Sequence, residues 1–360
     1  MPNWYSHIAG TLKSIGAALA QGLGCAGDLR TPPRTADDSH PPTEAPDIHA
    51  GASVARPRTR SPGGLRRQLE GFLSALEGAE NVPAAALVAA IQGASAKLEQ
   101  QIQRRGLHAA HLTAEARSVR GWLALMARRE HLEGYVTAAA EAREAFASIP
   151  SLRAAAQASN LRVHLRPMRG LYRVSACPGS VRVALPTAAI CLKPNAFDGL
   201  AALAGGRRSA RREVLEAMTA PQYRDLEKLL TRLGGEVNLA RGSFHDLGER
   251  FDQVNEAYFA GAMSRPALAW SRRFSLRKLG HYDLLHDTVM VSATLDQPCV
   301  PLLAVDFIIY HELLHRHHGL TWENGRLLAH TREFRRDERR FVEYQQAQTA
   351  LCALRMPKQR

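Results

Sequence analysis

Apolar residues recur along the first half of the chain at the three- and four-residue steps of amphipathic helices. One stripe lies within residues 1–30. A second begins at residue 65 and is followed by Ala-, Gln- and Glu-rich sequence as far as Phe146. We therefore predict an amphipathic N-terminal helix over residues 1–30 and a helical bundle over residues 63–150. Residues 63–238 are a candidate region for binding a partner protein. The two stripes comprise Ile8, Leu12, Ile15, Leu19 and Leu23, and Leu65, Leu69, Phe72 and Leu76.

The apolar period changes to two in residues 151–238. The segments "LRVHLRP" and "VRVALP" alternate apolar and polar residues and end at a proline, which is typical of strands. A helix is predicted from about Arg208 to Leu233, where Gly234 and Gly235 stop it. His164 lies on the polar side of the first strand and is expected to be exposed. This part of the chain is therefore predicted to be a small α+β segment.

Residues 239–360 are predicted to form one further domain. Ser243 can cap a helix whose buried stripe begins at Leu247. Three strand candidates follow, "PALAWSRRF", "KLGHYDLLH" and "TVMVSATL", and then an apolar helix, "LLAVDFIIYHELLHRHH". A last helix is expected from about Arg332 to Leu354. The predicted fold class of the whole chain is α+β, with a three-stranded sheet and a motif-bearing helix in the C-terminal domain.

Composition places the chain among soluble globular proteins. Of 360 residues, 45% are hydrophobic and 22% are charged, and no apolar run approaches the roughly 18 residues of a membrane span. The five cysteines are scattered without a CxxC pair, which excludes a disulfide framework and a zinc ribbon and favours a cytoplasmic location. Residues 31–62 are rich in Pro, Asp and Ser and are predicted to be a disordered linker.

The net charge of +13 permits nucleic acid as a partner, but its distribution does not indicate one. Residues 241–360 carry 17 Lys and Arg residues against 14 Asp and Glu residues, so the predicted C-terminal domain is nearly balanced. Arginines cluster at 207–212 and at 335–340. We interpret both clusters as solvated helix faces.

The sequence His311-Glu312-Leu313-Leu314-His315 is an H-E-x-x-H motif within the apolar helix. Residues four apart on a helix lie one turn apart on the same face, so both imidazoles can reach one Zn²⁺ at roughly 2.0–2.1 Å. Glu312 lies beside them and can hydrogen-bond a water held by the metal. The motif therefore predicts a zinc site with His311 and His315 as ligands and Glu312 as general base.

A catalytic zinc takes three protein ligands and keeps one position for water. His318 lies on nearly the same face, but one rigid helix cannot easily wrap three ligands around a tetrahedral ion. His330 begins the next helix and can approach from another direction, as can the acids of that helix. The candidates for third ligand are, in order of preference, His330, Glu338 and His318; Glu333 is a further acid on the same helix, and His317 is expected to face solvent.

A set of ordered features spans about residues 243–345. They are Asn255, Tyr258 and Phe259 on a helix, Trp270 at the end of a strand, Leu279-Gly280 before a strand, the H-E-x-x-H helix, and His330 with Phe334. In these features the C-terminal third of the chain resembles the SprT-like zinc metallopeptidases, a group that includes the Spartan proteases. The resemblance implies a zincin-like domain in which the His of the last motif, here His330, is the third ligand. Nothing in residues 1–240 shares it.

The motif and the resemblance together predict a zinc metallopeptidase that hydrolyses protein or peptide substrates. Zinc lowers the pKa of its water to about 7, and Glu312 takes the proton and passes it to the leaving amine. Tyr282 and Tyr310 are candidates for a second oxyanion donor, although both suit packing roles. The strand around residues 288–295 is expected to align the substrate backbone.

Two other functions remain open at this stage. One is a zinc-containing binding or scaffold protein with an inactive zincin domain. The other is a DNA-associated protease that acts on DNA-bound proteins, like the Spartan group. Glu312 favours an enzyme over a scaffold, because a purely structural zinc site has no use for that acid.

Overall fold

The computed structural model of the chain describes residues 59–77, 84–271, 274–323 and 326–355. The predicted N-terminal helix at residues 1–30 and all but the end of the predicted linker at residues 31–62 lie outside these ranges. At the linker's end, Arg60 donates its backbone N–H to the carbonyl oxygen of His111 (2.7 Å) and accepts from the N–H of Thr113 (3.2 Å).

Helices make up the region after the linker, as the sequence predicts. The side chain of Thr113 caps one of them by accepting from the backbone N–H of Ala116 (3.1 Å). In the first helix Leu73, rather than the predicted Phe72, is fully buried. The helices are α1 (Leu65–Glu77), α2 (Ala84–Arg104), α3 (Ala114–Met126), α4 (Arg129–Ala147) and α5 (Pro150–Gln157).

A mixed sheet of three strands follows the bundle. β1 (Leu161–Arg166) lies parallel to β3 (Ser180–Pro186), and β2 (Arg173–Cys177) lies antiparallel to β3 on its other side. β1 and β3 are the two predicted strands. β2 is additional, because its few small apolar residues give only a weak alternating pattern.

His164 on β1 is buried, so the expectation that it is exposed is wrong. Its side chain is only 1% exposed, and Nε2 pairs with the carboxylate of Glu77 at the end of α1. The helices cover this strand, since Trp122 donates its indole N–H to the carbonyl oxygen of Leu165 (3.1 Å). A polar position in an alternating strand marks a solvent face only where no other element packs on that face.

Two α-helices occupy the span from Arg208 to Leu233 in which one helix is predicted, and a further helix precedes them. The break falls at Pro221, the first residue of its helix, and Ala220 before it is extended (φ −61°, ψ 152°) as the proline ring requires. Pro221 therefore predicts the break between the two helices, although the apolar pattern runs on through it. The helices are α6 (Pro194–Ala204), α7 (Arg211–Met218) and α8 (Pro221–Gly234).

The C-terminal part begins with α9 (Leu247–Phe259). Its N-cap is Asp246, which accepts from the backbone N–H of Gly248 (2.7 Å), so the predicted cap at Ser243 is wrong. The backbone N–H of Ser243 donates instead to the carboxylate of Asp296 (2.6 Å). That carboxylate lies 53 residues later in the chain, and a local capping pattern cannot reveal it.

The second sheet contains the three strands predicted for this domain: β4 (Ala267–Trp270), β5 (Gly280–Asp283) and β6 (Thr288–Val291). Their spatial order is β4-β6-β5, with β4 parallel and β5 antiparallel to the central β6. Trp270 donates its backbone N–H to Leu239 (3.0 Å) at the outer side of β4. Within the described ranges, β5 is therefore the open edge of this sheet.

The chain ends with a long helix, a short hairpin and two helices. The fold class is α+β, as predicted, with twelve helices and small mixed sheets among the described residues. None of the helices in those ranges is long and apolar enough to cross a membrane. The last elements are α10 (Leu302–His318), β7 (Thr321–Glu323), β8 (Arg326–Leu328), α11 (Arg332–Glu338) and α12 (Tyr344–Arg355).

Candidate metal centre

The H-E-x-x-H motif lies near the C-terminal end of α10. Ile309 and Leu313 on this helix are fully buried in the C-terminal core, while His311 and His315 are only partly buried. The two imidazoles stand one turn apart, with ring centroids 4.9 Å from each other. Gly319 ends the helix with a positive φ of 64°, a conformation that glycine adopts without strain.

The β7–β8 hairpin turns the chain back and brings His330 to the same place. Nε2 of His330 lies 3.4 Å from Nε2 of His311. The nearest nitrogens of His311, His315 and His330 all lie within 4.8 Å of one another. The structure thus brings together the three histidines that the sequence singles out, two from one helix and one from a separate segment.

The ring of Phe334 packs against all three imidazoles. Its ring is 1% exposed, and its centroid lies 4.6 Å from that of His315, 4.8 Å from that of His330 and 5.2 Å from that of His311. The hydroxyl of Thr331 accepts from the backbone N–H of Phe334 (3.2 Å) and so starts α11 directly after His330. Packing on one rigid ring restricts the rotation of all three imidazoles.

Glu338, the second choice for third ligand, lies behind His311. Its Oε1 lies 2.7 Å from Nδ1 of His311, so the carboxylate is already engaged. With a proton on Nδ1 donated to Glu338, Nε2 of His311 keeps a free lone pair toward the other two rings. Carboxylates that orient metal-ligating histidines commonly take this position. The sequence predicts Glu338 near the site but not this role.

The remaining third-ligand candidates do not join the three histidines. Nε2 of His318 lies 3.2 Å from Oδ2 of Asp337, and His318 is not one of the histidines whose nitrogens converge. Glu333 is exposed in the first turn of α11. His317 is exposed, as predicted.

The side chain of Glu312 extends from α10 to the edge strand β5 and is buried between them. Its side chain is 5% exposed, and its carboxylate accepts the backbone N–H of Tyr282. Gly280 packs directly against it: a Cβ at that position would overlap Oε1 of Glu312 and come within 2.7 Å of Cγ2 of Ile308. The absence of a side chain at Gly280 therefore lets the strand reach the carboxylate.

Burial sets the protonation of these groups. It raises the pKa of Glu312, although the charge of His311, the N–H of Tyr282 and the charge of Lys278 act in the opposite direction. Burial, with the neighbouring His311 and His330, lowers the pKa of His315 to about 3. Burial also lowers the pKa of His330. Near neutral pH the latter two imidazoles are uncharged and have lone pairs available, as metal ligation requires.

The two tyrosines named as candidate oxyanion donors use their hydroxyls elsewhere. The hydroxyl of Tyr282 donates to Oδ1 of Asp287 (2.8 Å), and that of Tyr310 donates to the carbonyl oxygen of Asp337. Both rings belong to the C-terminal core. These contacts agree with the packing roles that the sequence favours for them.

The expectation that the strand around residues 288–295 aligns a substrate is wrong. β6 lies between β4 and β5, so its backbone groups are paired on both sides, and residues 293–295 form a 3-10 turn. The open edge belongs to β5, the strand whose residues Gly280 and Tyr282 contact the side chain of Glu312. The order of strands in the sequence does not reveal their order in a sheet when a parallel crossover connects them.

Comparisons of the chain with protein-family models, with curated proteins and with solved structures each return no match. The chemistry of the site is therefore inferred from its own residues.

Proposed function

We propose that this chain is a zinc-dependent metallopeptidase of the SprT-like kind, with His311, His315 and His330 as metal ligands and Glu312 as general base. The observation that carries the proposal is the convergence of three imidazoles from two separate segments, next to a buried glutamate. Three neutral nitrogens with one position left open are the ligand set of catalytic rather than structural zinc.

The donor set fits zinc in kind, and the His311–His330 pair has the spacing of two zinc ligands. Zn–N bonds of about 2.0–2.1 Å at tetrahedral angles put two ligand nitrogens about 3.4 Å apart. Nε2 of His311 and Nε2 of His330 stand 3.4 Å apart. Glu338 holds the His311 ring with its Nε2 lone pair free, which is the state that ligation needs.

The proposed reaction is hydrolysis of a peptide bond. Zinc held by the three histidines supplies Lewis acidity toward the attacking water and the peptide carbonyl. The carboxylate of Glu312 accepts a proton from that water as the water oxygen bonds to the carbonyl carbon. The same carboxyl group then gives the proton to the amide nitrogen as the C–N bond breaks. A pKa raised by burial makes Glu312 a better proton acceptor than an exposed glutamate.

The edge of β5 is the proposed place for an extended substrate chain. Backbone pairing along an edge strand gives affinity without reading much sequence. Glu312 already accepts the N–H of Tyr282 on this strand, so a chain that pairs with the remaining edge groups of β5 passes next to the proposed general base.

The deciding experiment is a cleavage assay of the purified full chain on an unfolded protein, with fragments identified by mass spectrometry. We expect cleavage that a chelator abolishes and added Zn²⁺ restores. Glu312→Gln, loaded with zinc, serves as the matched control for a contaminating protease. A protein that binds zinc but cleaves nothing would support the zinc-binding scaffold instead, and cleavage that survives in Glu312→Gln would contradict the proposed mechanism.

A further inference from the structure

The short helix α11, which follows His330, and its C-cap residue Arg339 carry a row of arginines without acidic partners. Arg332, Arg335 and Arg339 recur at helical spacing and are all exposed. Within the described ranges none of the three side chains forms an ion pair. Arg335 directly follows Phe334, whose ring lies 4.8 Å from that of His330. We call these three residues the arginine row.

The two other arginines of this segment, Arg336 and Arg340, each have an acidic partner. Nε of Arg336 lies 3.2 Å and Nη1 of Arg340 lies 3.3 Å from Oδ1 of Asp337. Glu333, another acid of α11, has its pKa lowered by its own backbone N–H, by the hydroxyl of Thr331 and by the charge of Arg336. The acids of this helix are therefore engaged away from the arginine row, whose positive charges stay uncompensated.

A further unpaired cation lies near Glu312. Lys278 is exposed, lies two residues before Gly280 and forms no ion pair within the described part of the chain. Gly280 packs directly against the Glu312 carboxylate. On α10 the neighbours His311 and Glu312 face different elements, since His311 contacts Glu338 of α11 and Glu312 contacts β5. The arginine row and Lys278 thus border the motif from two sides.

We propose that this site selects peptide segments with acidic side chains on both sides of the cleaved bond, one near Lys278 and one near the arginine row. The inference rests on the proposed peptidase function and adds a substrate class to it. Carboxylates of a bound chain would supply the partners that these cations lack in the protein itself. The acids that could have competed are either buried, as Glu312 is, or bound to a site residue, as Glu338 is.

The charge distribution favours an acidic peptide over a nucleic acid. Tight binding of a phosphate backbone requires many cations along a continuous track. Residues 241–360 have a net charge of only +3, from 17 basic and 14 acidic residues. A few cations beside the proposed substrate path can pair with a few carboxylates of a peptide, but they are too few to bind a long polyanion tightly.

The test begins from one peptide bond that the full chain cleaves in an unfolded protein. Three peptides around that bond carry Glu, Gln or Lys at the flanking positions, and kcat/KM is measured for each. Exposed ion pairs are weak, so we expect the Glu peptide to exceed the Gln peptide by roughly 3- to 10-fold and the Lys peptide to fall below it. The advantage should shrink in about 0.5 M salt, where the screening length is only a few Å.

Variants then assign the effect to the arginine row. Arg335→Gln should lower kcat/KM for the Glu peptide and bring it to within about 2-fold of the value for the Gln peptide. Arg336→Gln is the matched control, because its charge is already paired with Asp337 and its loss should leave the preference intact. Arg335→Glu should favour the Lys peptide.

The outcomes separate the two proposals. Equal kcat/KM for the three peptides overturns the acidic preference and leaves the peptidase function standing. No cleavage of the unfolded protein by the zinc-loaded wild type overturns both. Binding of a labelled DNA oligonucleotide is measured in parallel by fluorescence anisotropy. If Arg335→Gln weakens DNA binding but not the peptide preference, the arginine row serves nucleic acid and the inference is wrong.

Discussion

Oε1 of Glu338 lies 2.7 Å from Nδ1 of His311, which fixes the orientation of one proposed zinc ligand from behind. The two residues are 27 positions apart and come from different helices. The contact therefore joins α11 to α10 at the point where metal is expected to bind.

Removing this carboxylate should weaken metal binding without removing a ligand. Loss of such a partner typically costs about 10- to 100-fold in metal affinity. We expect Glu338→Ala to show this loss in a competition titration against a zinc chelator. Glu333→Ala is the control, because that side chain is exposed on the same helix. Equal zinc affinity in wild type and Glu338→Ala would contradict the orienting role.

The ligand assignment is tested by zinc content. His311→Ala, His315→Ala and His330→Ala should each retain little zinc after dialysis, because two imidazoles do not complete the site. His318→Ala should keep close to one zinc per chain, since its ring faces Asp337. Zinc retained in His330→Ala and lost in His318→Ala would show that the third ligand is misassigned.

Glu312→Gln should keep zinc and fold but lose activity. The amide has nearly the same size and still accepts the N–H of Tyr282, yet it cannot take up a proton. Proton transfer by a placed side chain contributes typically about 10²- to 10⁴-fold, so kcat should fall by at least that factor while KM changes little. Metal content, melting temperature and hydrolysis are measured on one preparation. Combined loss of zinc and stability would instead indicate a structural role.

A methyl group at Gly280 should disturb Glu312 and not the ligands. The Cβ of Gly280→Ala would overlap the Glu312 carboxylate and press on Ile308, and overpacking of this kind costs about 1–3 kcal/mol. We expect lower kcat with zinc content unchanged. Gly134→Ala is the control, because a Cβ there meets no atom within 4 Å. Full activity in Gly280→Ala would show that the close contact between β5 and Glu312 has no catalytic consequence.

Acid should destabilise the metal-free protein through His315. Burial, with the charges of His311 and His330, lowers the pKa of this residue from 6.5 to about 3. Between these values the unfolded chain binds a proton that the folded chain does not, so the free energy of unfolding falls as the pH falls. Melting curves of metal-free wild type and His315→Gln at about pH 7 and about pH 5 should show a smaller decrease in the variant. Equal decreases would contradict this assignment.

The sequence predicts those features that depend on residues close together in the chain. The four-residue spacing of His311 and His315 places both rings on one helix face whatever surrounds the helix. The second sheet's strands follow from short apolar segments between Pro, Gly and Asp. His330 is the first-ranked third ligand because a separate segment can approach from another direction, and the structure places it next to His311.

Features that depend on distant residues could not be predicted in this way. His164 is buried because Glu77, 87 residues earlier, reaches it. β6 is central because of a crossover, and Glu338 orients His311 because α11 docks on α10 at a particular angle. In each case the local sequence pattern does not show which distant residue or strand will pack against the element. The break at Pro221 is different, since the residue that causes it was visible in the sequence.

The edge position of β5 has a consequence for what this protein can act upon. A sheet with one open strand offers hydrogen-bond donors and acceptors that only an extended backbone can match. Chains folded into helices or into the interior of sheets have already used those groups. Targets would thus be chosen by their local loss of structure at least as much as by their sequence, and a well-folded protein carrying the same residues would be spared until part of it unravels.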